Sequence, residues 1–382
     1  MYTFLHVFDD EKFFDDVSRY FESLSNVRNL FFYFSADKRF KFEKIQNTEK
    51  IKVFHDWREY TACFSRDDVD VVYFHGLCDR NNYKLVDYIG EKQKVIWWSF
   101  GAELYNDDGL PPLVKLDLMK PLTLAYYKRY RILRPKQIAK RIYFKIITPR
   151  YERLRNKFLK RVDYYTPVLP IERSLLMEKH DIFRAKPFME QCGPTSLREF
   201  SFVCHKIPKH VLVGNSLTFA NNYLDIFEVI RPILLNENRK YLFPISYGFD
   251  YDGREHIKQI ARMREDQALW LDTFLPREQY IALYDNITHA IFGAIRQQGI
   301  GNVAACFRTG VKVFLYKDSI IYKQYKEWGY KVFSIEEDLC LDSLSTCLSE
   351  EDAQINYQLS IKRYRHAYRE NVENEIERIF DN

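Results

Sequence analysis

The sequence predicts an α/β protein built from two doubly wound domains. Three observations predict it: the length, the recurrence of short apolar runs, and a break in that recurrence near the middle of the chain. The chain has 382 residues, more than one hydrophobic core ordinarily holds. In the first half, Tyr2 to Phe8, Asn29 to Phe34, Ile51 to Phe54, Val69 to Phe74 and Val95 to Phe100 are short, β-branched or aromatic. Each is followed by a polar, helix-like stretch. That alternation is the mark of βα units around a parallel sheet buried on both faces.

The rhythm resumes with His210 to Gly214, Tyr241 to Tyr247, Leu269 to Phe274, His289 to Ile295, Val311 to Tyr316 and Lys331 to Ile335. Between the two series, Gly193, Pro194 and Pro208 interrupt the pattern. The expected segmentation is an N-terminal domain over 1–190, a second over 209–349, and a charged C-terminal helix over 350–382. That last stretch carries Ile355, Leu359, Tyr364, Tyr368, Val372, Ile376 and Ile379 at spacings of three to five.

Composition narrows the partners. Apolar residues at 46% and charged residues at 29% fit a folded chain and exclude a disordered or collagen-like one. Aromatic residues reach 16% beside a net charge of +5, and basic plus aromatic character points to a phosphate-bearing partner, nucleic acid or an anionic membrane surface. The charge is local. From Lys120 to Arg161 there are fifteen Lys or Arg and one acid, Glu152, so this segment carries +14 and the remainder −9 against the net +5.

Within 120–161 apolar residues alternate with Lys128, Arg129, Arg131, Lys140, Arg141 and Lys145, and Pro135 and Pro149 divide the stretch into short amphipathic helices. The plain reading is a solvated basic face whose long stems cover apolar surface. Against it stands the one-sided charge, since each Lys or Arg near an anionic leaflet contributes about 1 kcal/mol. We therefore expect these six residues to contact an anionic membrane from its cytoplasmic face, with Tyr126, Tyr127, Tyr130, Tyr143 and Phe144 near the lipid boundary. No spanning segment or signal-peptide layout is read in the sequence. Nucleic acid falls behind, for no zinc-finger, RNP-like or basic-zipper pattern occurs. The seven scattered cysteines indicate neither a disulfide framework nor a zinc site.

Ligands of open α/β sheets bind beyond the carboxyl ends of the strands. In the second half, Arg296-Gln297-Gln298-Gly299-Ile300-Gly301-Asn302 follows an apolar strand and opens a helix. Glycines admit a ligand to the backbone, free helix N–H groups face an anion, and Arg296 adds the charge a diphosphate needs; plain turn chemistry explains a glycine pair equally well. Gly214-Asn215-Ser216 ends another strand, as a phosphate contact or a simple helix cap. Tyr247-Gly248 ends a third, as a nucleobase contact or a turn. In the first half, His75 and Glu103 follow strong strands beside glycines and are the candidates for a general base acting on a hydroxyl; a lone histidine is more often structural. Asp68-Val69-Asp70 and Asp250-Tyr251-Asp252 match a cation-binding spacing only at chance level, so neither a metal nor a cofactor is expected. Serine-hydrolase and P-loop motifs are absent.

Taken together, Ala294 to Gly301, Val211 to Ser216, Phe74-His75-Gly76 and Trp98 to Tyr105 resemble, in the same order, the 4-acetamido-4,6-dideoxygalactose (N-acetylfucosamine) transferases of bacterial surface-polysaccharide synthesis. The resemblance implies a GT-B glycosyltransferase: two Rossmann-like domains facing a cleft, no active-site metal, and a dTDP- or UDP-sugar donor held by the second domain. It also implies a polyprenyl-diphosphate-linked acceptor met by the first. Two rivals differ in what they require. A GT-B-fold nucleotide-sugar epimerase shares the donor site but has no use for the basic segment. A non-enzymatic membrane- or nucleic-acid-binding protein has no use for the donor site.

Overall fold

In a computed structural model, the chain is described at all residues except 9–10, 12–13, 78, 106–110, 133–134, 190–198, 235–238, 249, 366–368 and 382; the side chains of 80, 130–132, 135–142, 144–145, 364–365 and 369 are also outside the description. Two parallel sheets organise it. The first contains β1 (Tyr2–Phe8), β2 (Val27–Phe34), β3 (Ile51–Phe54), β4 (Val71–His75), β5 (Lys94–Trp98), β6 (Tyr164–Thr166) and β7 (Lys186–Pro187), in the order β3-β2-β1-β4-β5-β6-β7. The second contains β8 (His210–Val213), β9 (Tyr241–Pro244), β10 (Ala268–Leu271), β11 (Ile287–Phe292), β12 (Lys312–Leu315) and β13 (Phe333–Ser334), in the order β10-β9-β8-β11-β12-β13.

Both orders run outward from a first strand and then reverse, so each sheet has a switch point, between β1 and β4 and between β8 and β11. Every residue of β4 and of β11 is buried, which is why those strands read as unbroken apolar runs. β6 and β7 escaped the sequence reading. They are short, and one lies just after the basic helix while the other contains Pro187.

The chain divides into two compact units whose make-up departs from the expected linear segmentation. Unit 1 comprises Met1–Lys115, Lys136–Gln191 and Tyr368–Asn382; unit 2 comprises Leu116–Pro135 and Cys192–Ala367. The basic segment is therefore shared, and its first helix, Pro121–Ile132, belongs with the second sheet. Asp225 is the reason. Its two carboxylate oxygens accept the Leu122 and Thr123 N–H groups at 2.9 Å each, capping that helix from the neighbouring helix Tyr223–Leu234. Asn222, in the left-handed region at φ 52°, accepts Lys120 N–H at 2.7 Å and donates to the Leu118 and Gly293 carbonyls.

Tyr126 and Tyr127, expected at a lipid boundary, pack instead against the unit 2 core beside Phe219, and the Tyr126 hydroxyl donates to Asp252 at 2.8 Å. Removing a two-oxygen cap costs about 1 to 2 kcal/mol. Asp225→Ala should therefore lower the urea midpoint of unit 2 and speed amide exchange at Leu122 and Thr123; unchanged exchange there would contradict the clamp.

The second part of the basic segment, Pro135–Arg161, is one helix that continues through Pro149. Its last turns are core: Phe158 and Leu159 are fully buried, and Phe158 meets Phe74 and Trp97 edge-on at 5.2 and 5.5 Å. Farther back, Tyr143 and Ile146 are exposed. Some of its cations are already matched within unit 1, Lys157 to Asp87 and Arg161 to Asp163. The charged tail is two helices. Glu350–Arg365 lies in unit 2, where Asn356 pairs with both backbone polar groups of Lys331. Arg369–Phe380 lies in unit 1, where Glu373 accepts from Ser25, Glu375 from Met189 N–H, and Phe380 stacks on Tyr2 at 4.0 Å.

Candidate functional site

At the switch point of unit 2, the ends of β8, β9 and β11 are joined by side chains. Gln298 Nε2 donates to Thr218 Oγ1 at 2.9 Å and Ser216 Oγ at 3.2 Å, with Asn215 Oδ1 farther off at 3.4 Å. Asn215 Nδ2 in turn donates to the Tyr247 hydroxyl at 2.9 Å, and burial pushes that phenol above its ordinary pKa, so it stays protonated. Beneath them the fully buried Asn221 donates to the Ser216 carbonyl and hydroxyl at 2.6 and 3.0 Å, and to Thr218 Oγ1 at 3.1 Å. A Leu217 N–H bond to the Tyr247 carbonyl at 2.7 Å ties the β8 and β9 loops together.

Two glycines make this geometry possible. Gly214 has φ +68°, and a Cβ there would stand 2.4 Å from the Tyr223 hydroxyl. Gly299, at φ +66°, precedes the helix Ile300–Arg308 and passes so close to Asn215 that a Cβ would lie 2.9 Å from its Cγ. The helix N-terminus thus lies against the β8 loop. Gly301, in its first turn, has open space where a Cβ would be.

The structure brings together Gly214, Asn215, Ser216, Tyr247, Gln298 and Gly299. Ile300, Gly301 and Asn302 form the first turn of the adjoining helix, with Asn302 N–H bonded to the Gly299 carbonyl at 2.9 Å. Gln297 is buried, and the half-buried Arg296 donates from Nη1 to its carbonyl at 3.1 Å. Gly248 packs on the Leu217 carbonyl. Thr218 and Asn221 were missed by sequence reading. The stretch Asn215 to Asn222 mixes polar residues with the apolar Leu217, Phe219 and Ala220, so little in it marked them out.

In unit 1 the candidates divide. Glu103 accepts the Phe100 N–H at 2.8 Å through Oε1, holding the turn after β5. His75 ends β4, is 2% exposed, and bonds through Nε2 to Nδ1 of the fully buried His6 on β1 at 2.8 Å, across the switch point of the sheet. Burial holds His75 well below the usual imidazole pKa and pushes His6 down to about 4. At neutral pH both are uncharged, and the depressed pKa makes His75 a weak base.

A depressed imidazole pKa means that the unfolded chain binds more protons. Stability from this pair is complete above the unfolded value of about 6.5 and is lost as pH falls below it, toward about 4 for His6. Urea unfolding of unit 1 between pH 7 and 5, compared with His75→Gln, should show a shallower slope for the variant. Equal slopes would contradict a neutral buried pair.

The two Asp-x-Asp pairs are committed to structural contacts. Asp68 pairs with Arg66, Asp70 accepts Thr3 N–H, Asp250 accepts Phe219 N–H, and Asp252 accepts from Tyr126. Of the six residues expected at a membrane, Lys128 and Arg129 are exposed on the helix Pro121–Ile132. The side chains of Arg131, Lys140, Arg141 and Lys145 lie outside the described residues. Among the described residues no helix is long and apolar enough to cross a membrane.

No protein-family model matches the sequence. No curated protein matches it either. Solved structures do match the fold. Sucrose-phosphate synthase from Thermosynechococcus elongatus superposes with a TM-score of 0.64 at 9% identity, covering 100% of this chain and 98% of that one. A lipopolysaccharide outer core galactosyltransferase, WaaB, gives 0.59 at 11% identity over 98% and 99%. An α-glucosyltransferase in complex with UDP-glucose and DNA gives 0.53 at 10% identity over 100% and 98%. These neighbours are GT-B glycosyltransferases, and the chain has their α/β GT-B fold of two Rossmann-like units.

Proposed function

We propose that this protein is a glycosyltransferase that moves a 6-deoxy amino sugar from a dTDP- or UDP-sugar to a polyprenyl-diphosphate-linked saccharide during surface-polysaccharide synthesis. The observation that carries the donor half is the joining of three strand ends at the unit 2 switch point, where open α/β sheets take their ligands. The fold neighbours are named as synthases and transferases, and one of them is bound to UDP-glucose. The deoxy amino sugar and the lipid-linked acceptor rest on the sequence resemblance alone.

In this reading the N–H groups at Gly299 to Asn302, with Arg296, stabilise the departing diphosphate, supplying by fixed charge and dipole what the transition state develops. Asn215 and Ser216 contact a phosphate from the β8 side, and Tyr247-Gly248 flanks the base. Glu103 takes the proton of the acceptor hydroxyl as its oxygen bonds to the anomeric carbon and the nucleoside diphosphate leaves. Peripheral attachment to the inner leaflet runs through the basic segment, by Lys128, Arg129 and Arg131 in unit 2 and by Lys140, Arg141 and Lys145 on the unit 1 helix that also carries the exposed Tyr143 and Ile146.

A thermal-shift panel of UDP-, dTDP-, GDP- and CDP-sugars tests the donor half. A donor at one hundred times its Kd adds about 2.7 kcal/mol to the native state. At about 2 to 4 °C per kcal/mol, that is a rise of roughly 5 to 10 °C. The expected responders are the uridine or thymidine sugars; a flat panel would sink the reading.

A further inference from the structure

The buried histidine pair in unit 1 belongs to a longer chain whose direction can be worked out. Asn29 Nδ2 lies 3.1 Å from the Phe21 carbonyl, which can only accept, so the amide nitrogen faces it and Oδ1 faces His6. His6 Nε2, 2.9 Å from that oxygen, must therefore donate. A neutral His6 then has only a lone pair at Nδ1, so His75 Nε2, 2.8 Å away, donates to it. What remains is His75 Nδ1 as a bare acceptor. It is buried and has no hydrogen-bond partner among the described residues.

Tyr73 stacks on the imidazole at 4.5 Å, while Phe21 meets it edge-on at 5.7 Å, so it is fixed by packing as well. On the side of β4 away from β1 runs β5. There Trp98 is paired with His75 in register and its ring centroid is 5.9 Å away. This is the strand end that leads into Gly101 and Glu103. A buried acceptor without a donor is costly, and this one sits at a switch point, where its partner is naturally a ligand.

We propose that His75 Nδ1 accepts a hydrogen bond from a hydroxyl of the saccharide acceptor, and that His6 and Asn29 are positioning residues that fix the tautomer of His75. The proposal rests on the reading that unit 1 takes the acceptor. His75 orients the hydroxyl and keeps no proton from it; Glu103 remains the base.

The test is long-range 1H–15N spectroscopy of the full chain labelled at its nine histidines, with His75 assigned by His75→Gln. The probe is a short-chain polyprenyl diphosphate carrying one N-acetylglucosamine. His75 should show an unprotonated Nδ1 and a protonated Nε2 in the free protein, and the Nδ1 resonance should move on saturation with the probe. Asn29→Asp, which keeps an oxygen facing His6, should preserve that response. Asn29→Leu should lose it. A proton on Nδ1 in the free protein overturns the proposal. An Nδ1 signal that stays put while other resonances respond overturns the hydrogen bond alone. If no resonance responds, the hydrogen bond and the acceptor reading both fall.

Discussion

Gly301→Ala should raise the melting temperature of the free protein and yet weaken nucleotide-sugar binding at least tenfold. A Cβ at Gly301 meets nothing within 4 Å, and alanine is better than glycine inside a helix by about 0.5 to 1 kcal/mol. The free protein therefore has no reason to object. If the first turn of the helix Ile300–Arg308 lies against a diphosphate, the added methyl occupies the space the ligand needs. Gly299→Ala should act in the opposite way on the free protein. Its φ of +66° costs an L-residue about 1 to 2 kcal/mol, and the new Cβ would displace Asn215. Thermal shift with and without the responding nucleotide sugar separates the two. Unaltered binding by a stabilised Gly301→Ala would remove the helix from the donor site.

Replacing Lys128, Arg129, Arg131, Lys140, Arg141 and Lys145 together by glutamine should reduce binding to vesicles containing anionic lipid at least a thousandfold at low salt. Six cations at about 1 kcal/mol each near an anionic leaflet amount to about 6 kcal/mol, and a tenfold change in partition corresponds to about 1.4 kcal/mol. Folding should be little affected at Lys128 and Arg129, which are exposed. Lys120, Lys157 and Arg161 are left in place because they are paired with Asp318, Asp87 and Asp163. Co-sedimentation with anionic and with neutral vesicles reads the result; equal pelleting of both proteins would dissociate the basic segment from a membrane.

Much of the second unit's candidate site was legible in the primary structure. One strand end is marked by an apolar run meeting Gly214, the other by an apolar run followed a few residues later by Gly299 at the start of a helix, and both signals are local. Thr218 and Asn221 were not legible, because a threonine and an asparagine in the turn between a strand and a helix look alike whether they bind solvent or each other. Their role exists only where Gln298, 80 residues from Thr218, is brought against them. The same holds for His75. Its sequence context offered a possible base, whereas its partner His6 lies 69 residues away.

By itself the sequence determined the two series of βα units, the glycine-marked strand ends and the one-sided charge of 120–161, since all three depend on neighbours within a few residues. Only the tertiary structure decided which unit each stretch joins. Asp225 and Asn222 draw the helix Pro121–Ile132 into the second unit, and Glu373 and Glu375 hold the last helix in the first. It also decided which charges are spent on partners and which rings are core, Tyr126 and Tyr127 among them. Apart from Arg161 with Asp163, those outcomes turn on hydrogen bonds and packing between residues 70 or more positions apart, and no local pattern encodes such pairings.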